Sequence, residues 1–410
     1  MKQWVIRIII FLILIFVGLD LYVIYGAKKS KPSPITTPST TPTISELAKK
    51  EFTLDDKIAL ASYYGWYYKS KIWAKETKAE HPMAGSYDPG DDKTIDYQLS
   101  LAKDTGLDGF IYSWSGNKND DATLLKMLTK AETSEEYSNF KIAVLYENVN
   151  YKANQPTATI ISELSQLVNL GKNHPAFLKL NGLPVIFVYN PQGIPVKRWQ
   201  EIWNGVRTAE GESYLVAMPD NWDVADDYFE YFHTITTYAD KYISLKEISA
   251  HYADLKKQDR PLIATLIGGT SRIQKDGYDI DRSNGQYLEA RYEIAKKNNA
   301  DWLYITSWNE WYEYAQVEPS VESKFETVKY LREIIATYKN TTADEPTAKL
   351  TLNDGKTKNE GPSNVYCLRC GAEDQSPPLI FILKPGEQES VGHLCKQISG
   401  YLVNNTKVQN

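Results

Sequence analysis

Eight short apolar runs, separated by longer amphipathic stretches, constrain the fold of this chain more than any other feature. The runs are rich in Val, Ile, Leu and Tyr, as strands buried on both faces of a parallel sheet are. Their regular alternation with helix-like stretches predicts a parallel sheet, and eight of them predict an α/β fold of the (β/α)8 TIM barrel type. An open doubly wound sheet is the alternative, but no glycine-rich dinucleotide fingerprint follows the first run. The predicted strands are Ile58–Tyr64, Gly109–Trp114, Ile142–Tyr146, Pro184–Tyr189, Tyr214–Met218, Thr234–Tyr238, Leu262–Ile267 and Trp302–Thr306.

Two glutamates three residues apart, Glu310 and Glu313, follow the eighth run. A barrel enzyme keeps its catalytic residues at the carboxyl ends of its strands, so we expect this pair at the catalytic face. Cleavage of a glycosidic bond requires two carboxyl groups, one as proton donor and one as base or nucleophile. Trp308, Trp311 and Tyr312 surround the pair in sequence, and we expect them to raise the pKa of Glu313 by desolvation. The alternative is an aromatic strand end with solvated glutamates.

Glu147 is a further candidate, because it comes directly after the apolar run Ile142–Tyr146. A carboxylate inside a barrel without a partner is costly, so a functional role or a structural salt bridge must account for it. The strand ends carry no His, Asp and Glu pattern typical of a metal centre, and we expect no cofactor. The net charge of −6 offers no basic stripe for nucleic acid, whereas 29 tyrosines suit a carbohydrate cleft.

The amino-terminal residues 1–29 predict a membrane anchor, because residues 8–25 are almost wholly apolar. A cleaved signal peptide is the rival interpretation, since Tyr25-Gly26-Ala27 offers small residues near a possible cut. Residues 30–50 are rich in Pro and Thr and predict an extended linker. We therefore expect a membrane-anchored protein with its catalytic domain outside the cytoplasm, or a secreted protein if the segment is cleaved.

The catalytic domain is predicted to cover residues 51–340, followed by a polar linker at 341–363 and a small region at 364–410. This last region contains all three cysteines of the chain. Cys367, Cys370, His393 and Cys395 have a spacing that can bind Zn²⁺. An exported protein can instead form one disulfide and leave one thiol, and an extension without either feature is the third possibility.

Several sequence blocks, in a consistent order between residues 58 and 335, carry a resemblance to a known family. They are His81–Asp88, Ala102–Trp114, Tyr146–Glu147, His174–Phe177, Arg282–Tyr287, Thr306–Glu313 and Gln316–Glu318. In these blocks the chain resembles glycoside hydrolase family 99, the endo-α-mannosidase and endo-α-mannanase family, and its relatives from bacterial polysaccharide clusters. The resemblance implies a retaining endo-α-glycosidase on a (β/α)8 barrel that acts on α-mannose-containing glycans.

The resemblance also implies a division of labour between the two glutamates. Glu310 matches the base that deprotonates the substrate's own 2-hydroxyl, which attacks the anomeric carbon to give a 1,2-anhydro sugar. Glu313 matches the acid that protonates the leaving oxygen and then activates water. Further positions match residues expected around the sugar. These are Tyr64, His81, Trp114, Glu147, Tyr189, Tyr238, Trp308 and Asn309.

The chain departs from the family pattern at positions predicted to line the cleft. It has Trp114-Ser115-Gly116 where the family often has Trp-Trp-Gly, and Tyr314-Ala315 where the family often has Gly-Thr. Linkage and sugar specificity therefore stay open. Two other functions also stay open: a non-catalytic glycan-binding barrel, and a polysaccharide-assembly enzyme of the glycosyltransferase type, although the sequence shows no motif for a sugar-nucleotide or lipid-phosphate donor.

Overall fold

Eight parallel strands form a barrel that is closed except at one seam, which confirms the predicted barrel. The computed structural model describes residues 51–67, 80–147, 154–219, 231–236, 244–272, 278–371 and 377–410. The strands pair in the order β6-β5-β4-β3-β2-β1-β8-β7, so that the first strand lies between the second and the eighth. The strands are β1 (Ile58–Tyr64), β2 (Gly109–Trp114), β3 (Lys141–Tyr146), β4 (Leu183–Tyr189), β5 (Tyr214–Met218), β6 (Thr234–Ile235), β7 (Ile263–Leu266) and β8 (Trp302–Ile305).

Threonine side chains bridge the seam between β6 and β7, where no backbone ladder forms among the described residues. The Thr234 hydroxyl donates to the carbonyl of Pro261 at 2.5 Å, and the Thr236 hydroxyl donates to the carbonyl of Ile263 at 3.2 Å. The predicted sixth strand extended to Tyr238, but the described strand ends at Ile235. Side-chain hydroxyls therefore replace part of the missing ladder and hold the barrel wall together.

Amphipathic helices surround the barrel, as the alternation predicts. Their ends follow local capping chemistry: Asp91 accepts a hydrogen bond from the Lys93 amide at the start of the first helix, and Ser244 and Glu247 form a capping box at the start of the fifth. The helices described are α1 (Asp92–Asp104), α2 (Lys118–Thr133), α3 (Thr157–Asn173), α4 (Val196–Glu210), α5 (Leu245–Lys257), α6 (Gln286–Lys297) and α7 (Glu326–Tyr338).

The predicted membrane anchor and the Pro/Thr-rich linker lie outside the described residues. None of the helices within the described ranges has the length and apolar character needed to cross a membrane.

A small antiparallel β domain follows the barrel and has its own apolar core. It contains a three-stranded sheet in the order β9-β10-β13 and a four-stranded sheet in the order β12-β11-β14-β15. Residues 350–359 belong to its first two strands, so the stretch predicted as a linker at 341–363 is shorter than expected. The strands are β9 (Leu350–Asn353), β10 (Lys356–Asn359), β11 (Val365–Cys370), β12 (Ile380–Leu383), β13 (Gln388–Ser390), β14 (Ile398–Tyr401) and β15 (Lys407–Gln409).

The cysteines of this domain form a disulfide rather than a zinc site. Cys370 and Cys395 are bonded, with their Cα atoms 5.4 Å apart, while Cys367 is a buried thiol. His393 lies on the surface and pairs with Asp354 at 3.1 Å. Among the described residues no group of three or more potential ligands is arranged to hold a metal ion. The zinc set of Cys367, Cys370, His393 and Cys395 is therefore wrong, because two of its sulfurs are already joined to each other.

The β domain packs closely against α1 of the barrel. The hydroxyl of Tyr366 donates to Asp104 at 2.6 Å, and Lys384 forms ion pairs with Asp96 at 3.0 Å and Glu136 at 2.7 Å. Desolvation by burial raises the pKa of Asp104, while the hydrogen bonds from Tyr366 and Asn364 act in the opposite direction. Apolar burial, ion pairs and directed hydrogen bonds thus join the two parts.

Replacement of both Cys370 and Cys395 by serine tests the disulfide. The bond closes a loop with a sequence separation of 25 residues. Opening it lets the unfolded chain gain entropy, so we expect a loss of about 3 kcal/mol in the free energy of unfolding of the β domain. Denaturant unfolding with and without reductant measures this loss. A parent protein whose unfolding midpoint is insensitive to reductant, and equal to that of the double variant, would contradict the pairing.

Candidate active site

The loop that follows β8 folds back on itself and carries both predicted catalytic glutamates. We call residues 306–318 the β8 loop. The Ser307 amide donates to the carbonyl of Ala315 at 2.8 Å, and the Val317 amide donates to the carbonyl of Ser307 at 2.9 Å. The Ser307 hydroxyl accepts from the Glu310 amide at 2.7 Å. The loop is therefore held by its own backbone, and it presents its glutamates from a fixed base.

Glu310 is buried to 4% exposure and is held by two donors. The Tyr67 hydroxyl donates to its Oε1 at 3.1 Å, and the Tyr312 amide donates to the same oxygen at 3.0 Å. Tyr67 also accepts from the Trp311 amide at 2.9 Å. Burial raises the pKa of Tyr67 well above its usual value, so its proton stays in place for donation. This arrangement fixes the orientation of the Glu310 carboxyl group.

Tyr64 lies close enough to three glutamates for their charges to act on its pKa. Burial raises the pKa of Tyr64 well above its usual value, and Tyr304, Glu310, Glu147 and Glu313 raise it further by their charges. Electrostatic effects of this kind require proximity. Carboxylates from the ends of β3 and β8 therefore share one region at the carboxyl-terminal face of the barrel, with a buried tyrosine from β1 between them.

Glu147 is fixed by its neighbours at the ends of β2 and β3. The Ser113 hydroxyl donates to its Oε1 at 2.9 Å, and its amide donates to the carbonyl of Trp114 at 3.1 Å. Glu147 also raises the pKa of Tyr304, which burial and this charge bring to about 12. Glu147 therefore lies close enough to Tyr304, a residue of the barrel core, for its charge to act there.

Trp114, Trp308 and Asn309 are buried, and each is hydrogen-bonded within the protein. The Trp114 indole donates to Asp121 at 2.8 Å, and the Trp308 indole donates to Gln98. Asn309 is fully buried and bonds the backbone of Tyr64 through both ends of its amide. These hydrogen bonds hold the three side chains in place behind the strand ends, and their contact with a sugar stays a prediction.

The other predicted sugar contacts lie at different depths. The side chain of His81 is 65% exposed and pairs with Glu322 at 2.7 Å. Tyr189 is half-buried at the end of β4 and packs against the barrel core. Tyr238 lies outside the described residues. Tyr312, between the two catalytic candidates, is 61% exposed, so it does not supply the desolvation expected of it but offers an open aromatic face.

Two supporting groups were missed by sequence reasoning. Tyr67 lies in the aromatic run after β1, where nothing in the pattern distinguishes it from its neighbours. Tyr314 has a left-handed backbone with φ of 54°, which is uncommon for a residue other than glycine. Its ring packs on the guanidinium of Arg282 at 4.5 Å, and its hydroxyl donates to Glu80 at 3.1 Å. The sequence does contain a signal for Tyr314, because this chain has a tyrosine where the family often has glycine.

Comparisons with known proteins agree with this architecture. The family model described as Glycosyl hydrolase family 99 matches residues 264–345, which contain most of β7, all of β8, and Glu310 and Glu313. A glycoprotein endo-alpha-1,2-mannosidase of Rattus norvegicus is 22% identical over 278 residues, which are 61% of this chain and 59% of that protein. One of Xenopus laevis is 23% identical over 280 residues, which are 61% of this chain and 60% of that protein. The chain thus spans less than two thirds of the curated relatives it matches.

Solved structures show the same fold. The family 99 endo-alpha-mannosidase from Bacteroides thetaiotaomicron superposes with a TM-score of 0.59 at 17% identity, covering 71% of this chain and 99% of that one. A structure described as a glycoside hydrolase-like protein superposes with a TM-score of 0.56 at 16% identity, covering 75% of this chain and 98% of that one.

A (β/α)8 barrel with carboxylates at the carboxyl ends of its strands is the arrangement found in many glycoside hydrolases. Within that class the family model, the curated relatives and the solved structures agree on one group. The chain is therefore similar to glycoside hydrolase family 99, most directly over residues 264–345.

Replacement of Tyr67 by phenylalanine tests the support of Glu310. It removes one donor from the carboxylate and leaves the amides of Trp311 and Tyr312 without their shared acceptor. We expect kcat to fall about 10- to 100-fold, because a hydrogen bond to a charged group is worth about 1.5–3 kcal/mol and its loss loosens the orientation of Glu310.

Tyr63 provides the matched control for this substitution. It is equally buried, lies on β1 four residues before Tyr67, and its hydroxyl has no hydrogen-bond partner among the described residues. Tyr63→Phe should leave kcat near the parental value. Equal losses in the two variants would show that the hydroxyl of Tyr67 has no special part in the site.

Proposed function

We propose that this protein is a retaining endo-α-glycosidase that cleaves α-mannosidic linkages in glycans or polysaccharides. The observation that carries the proposal is the placement of Glu310 and Glu313 together in the loop after β8, with Glu310 held by the Tyr67 hydroxyl and Glu147 following β3 at the same face of the barrel. A paired acid and base in one water-limited region is what glycosidic cleavage needs. The names of the curated relatives, which are endo-alpha-1,2-mannosidases, support mannose as the sugar.

In the proposed first step Glu310 acts as the base. It takes the proton of the substrate's 2-hydroxyl, whose oxygen forms a bond to the anomeric carbon as the bond to the leaving oxygen breaks. Glu313 donates its proton to that leaving oxygen. The product is a 1,2-anhydro sugar. The donors from Tyr67 and Tyr312 support this role for Glu310, because they favour a carboxylate ready to accept a proton.

In the proposed second step Glu313 acts as the base. It takes a proton from water, whose oxygen attacks the anomeric carbon and opens the three-membered ring. Glu310 returns the proton to the 2-oxygen. Two successive inversions retain the anomeric configuration. The partial exposure of Glu313 supports this role, because water must reach it, whereas Glu310 lies deeper. Glu147 is suited to bind a sugar hydroxyl, since its neighbours hold it in one orientation.

We further propose that the barrel acts outside the cytoplasm, held to a membrane by its amino-terminal segment. The apolar run at residues 8–25 supports the anchor, and the Cys370–Cys395 disulfide supports an oxidising compartment. Protease treatment of intact cells tests this placement, since a barrel that stays protected until the cells are lysed would contradict it.

The assignment of roles is tested with Glu310→Gln and Glu313→Gln on α-mannans and other α-glycans, with product mapping. We expect each variant to lose about 10²- to 10⁴-fold in kcat on natural linkages. With an activated leaving group and azide as nucleophile, Glu313→Gln should recover turnover, because neither the acid nor the water-activating base is then needed. Glu310→Gln should not recover, because the 2-hydroxyl still has no base.

Glu293→Gln is the matched control for these variants, since Glu293 is an exposed glutamate on α6 that pairs with Lys296. It should keep parental activity. Full activity in both catalytic variants would refute the mechanism. A parent protein that binds α-glycans without cleaving any would point to a glycan-binding barrel, and transfer from a sugar-nucleotide would point to an assembly enzyme.

A further inference from the structure

Glu318, the last residue of the β8 loop, is a buried carboxylate that accepts three hydrogen bonds. It is 2% exposed. The Tyr87 hydroxyl donates to its Oε2 at 2.7 Å, the Trp311 indole donates to the same oxygen at 3.0 Å, and the Gln98 amide donates to its Oε1 at 2.8 Å. Burial raises its pKa to about 7, and the three donors act in the opposite direction. An ionised carboxylate is the side chain that accepts on both oxygens without donating.

Each of the three donors connects Glu318 to a residue within two positions of Glu310 in the sequence. Trp311 is itself the next residue in the chain. Tyr87 accepts from the side-chain amide of Asn309 at 3.3 Å. Gln98 accepts from the indole of Trp308 through its own Oε1. The side chains at positions 308, 309 and 311 are therefore all connected to one carboxylate, at most one residue away.

The direction of every bond in this network is fixed by chemistry. An indole N–H can only donate, so Gln98 must turn its carbonyl oxygen to Trp308 and its amide to Glu318. The hydroxyl of Tyr87 accepts from Asn309 and has its proton left for Glu318. A buried polar network that is fully satisfied holds its members in one arrangement, and it becomes costly when one member is mismatched.

We propose that Glu318 is a positioning residue, which fixes the geometry of Glu310 through Trp308, Asn309 and Trp311. It does not touch the substrate in this proposal. Its effect on turnover rests on the function proposed above, but its effect on the order of the β8 loop does not.

Glu318→Gln places a hydrogen-bond donor where the surrounding network supplies only donors. The new amide group must face one of the three donors. If it faces Gln98, the amides meet as two donors. If Gln98 turns over, its own amide then meets the indole of Trp308. The volume of the side chain hardly changes, so the variant alters hydrogen-bond polarity rather than packing.

The double variant Gln98→Glu with Glu318→Gln restores the match. A carboxylate at position 98 accepts from Trp308 and from the new amide at 318, while the carbonyl at 318 accepts from Tyr87 and Trp311. Charge and volume of the pair are the same as in the parent. Recovery by this exchange identifies the donor and acceptor pattern as the cause of any loss.

We expect Glu318→Gln to lower kcat about 10- to 100-fold with KM within about twofold, and the double variant to recover most of kcat. Asp104→Asn is the matched control, because Asp104 is a buried carboxylate at the contact with the β domain, away from the β8 loop. It should lower the unfolding midpoint and leave kcat unchanged. If Glu318→Gln does not fold, Tyr87→Phe, which cuts only the branch to Asn309, takes its place with a smaller expected loss of kcat.

Hydrogen exchange of the full chain without substrate separates this proposal from the proposed function. Glu318→Gln should speed amide exchange in residues 307–318 about tenfold or more, while the double variant exchanges as the parent does. Parental exchange and parental kcat in Glu318→Gln would overturn the positioning role, as would a loss that the double variant fails to recover. If the parent cleaves no glycan but exchange responds as expected, the proposed function fails and the positioning role stands.

Discussion

The hydrogen bonds between Asn309 and the backbone of Tyr64 are the contact on which the site depends. The amide of Tyr64 donates to Asn309 at 2.7 Å, and Asn309 donates back to the carbonyl of Tyr64 at 3.0 Å. They join the end of the first strand to the residue next to Glu310, across 245 positions of sequence. The parallel pairing of β1 with β8 brings these residues together, and the side chain then locks the register at the catalytic face. The ends of β1 and β8 therefore take part both in the closure of the barrel and in the assembly of the site.

The strands could be predicted from sequence because a strand buried on both faces must be apolar throughout, and seven of the eight lie within one or two residues of the prediction. The ends of β3 and β8 were predicted for the same reason, which put Glu147 and Glu310 at the correct face. What the pattern lacks is side-chain direction. Trp308 and Trp114 stand at strand ends, but their indoles bond to Gln98 and Asp121 of the surrounding helices. The direction of these side chains depends on hydrogen-bond partners from helices elsewhere in the sequence, so local residue spacing cannot predict it.

The carboxyl-terminal region was misjudged for two physical reasons. Its first strands, Leu350–Asn353 and Lys356–Asn359, are short and rich in Thr, Lys and Asn, so they look like a linker. Cysteine spacing alone fits both a metal and a disulfide, and the difference lies in which sulfurs the fold brings together. Cys370 and Cys395 end neighbouring segments of one small domain, whereas Cys367 points towards Tyr97 in the barrel.

That last contact has a consequence for how the chain can be divided. Tyr97 and Gln98 are adjacent on α1. Tyr97 packs against Tyr366 and Phe381 of the β domain, while Gln98 reaches inwards to Glu318 and Trp308. One face of α1 therefore packs against the β domain, and the other face supports the β8 loop. The boundary near residue 340 separates two folds that share the support of α1. The β domain therefore cannot be removed or exchanged as freely as an accessory domain on a flexible tether.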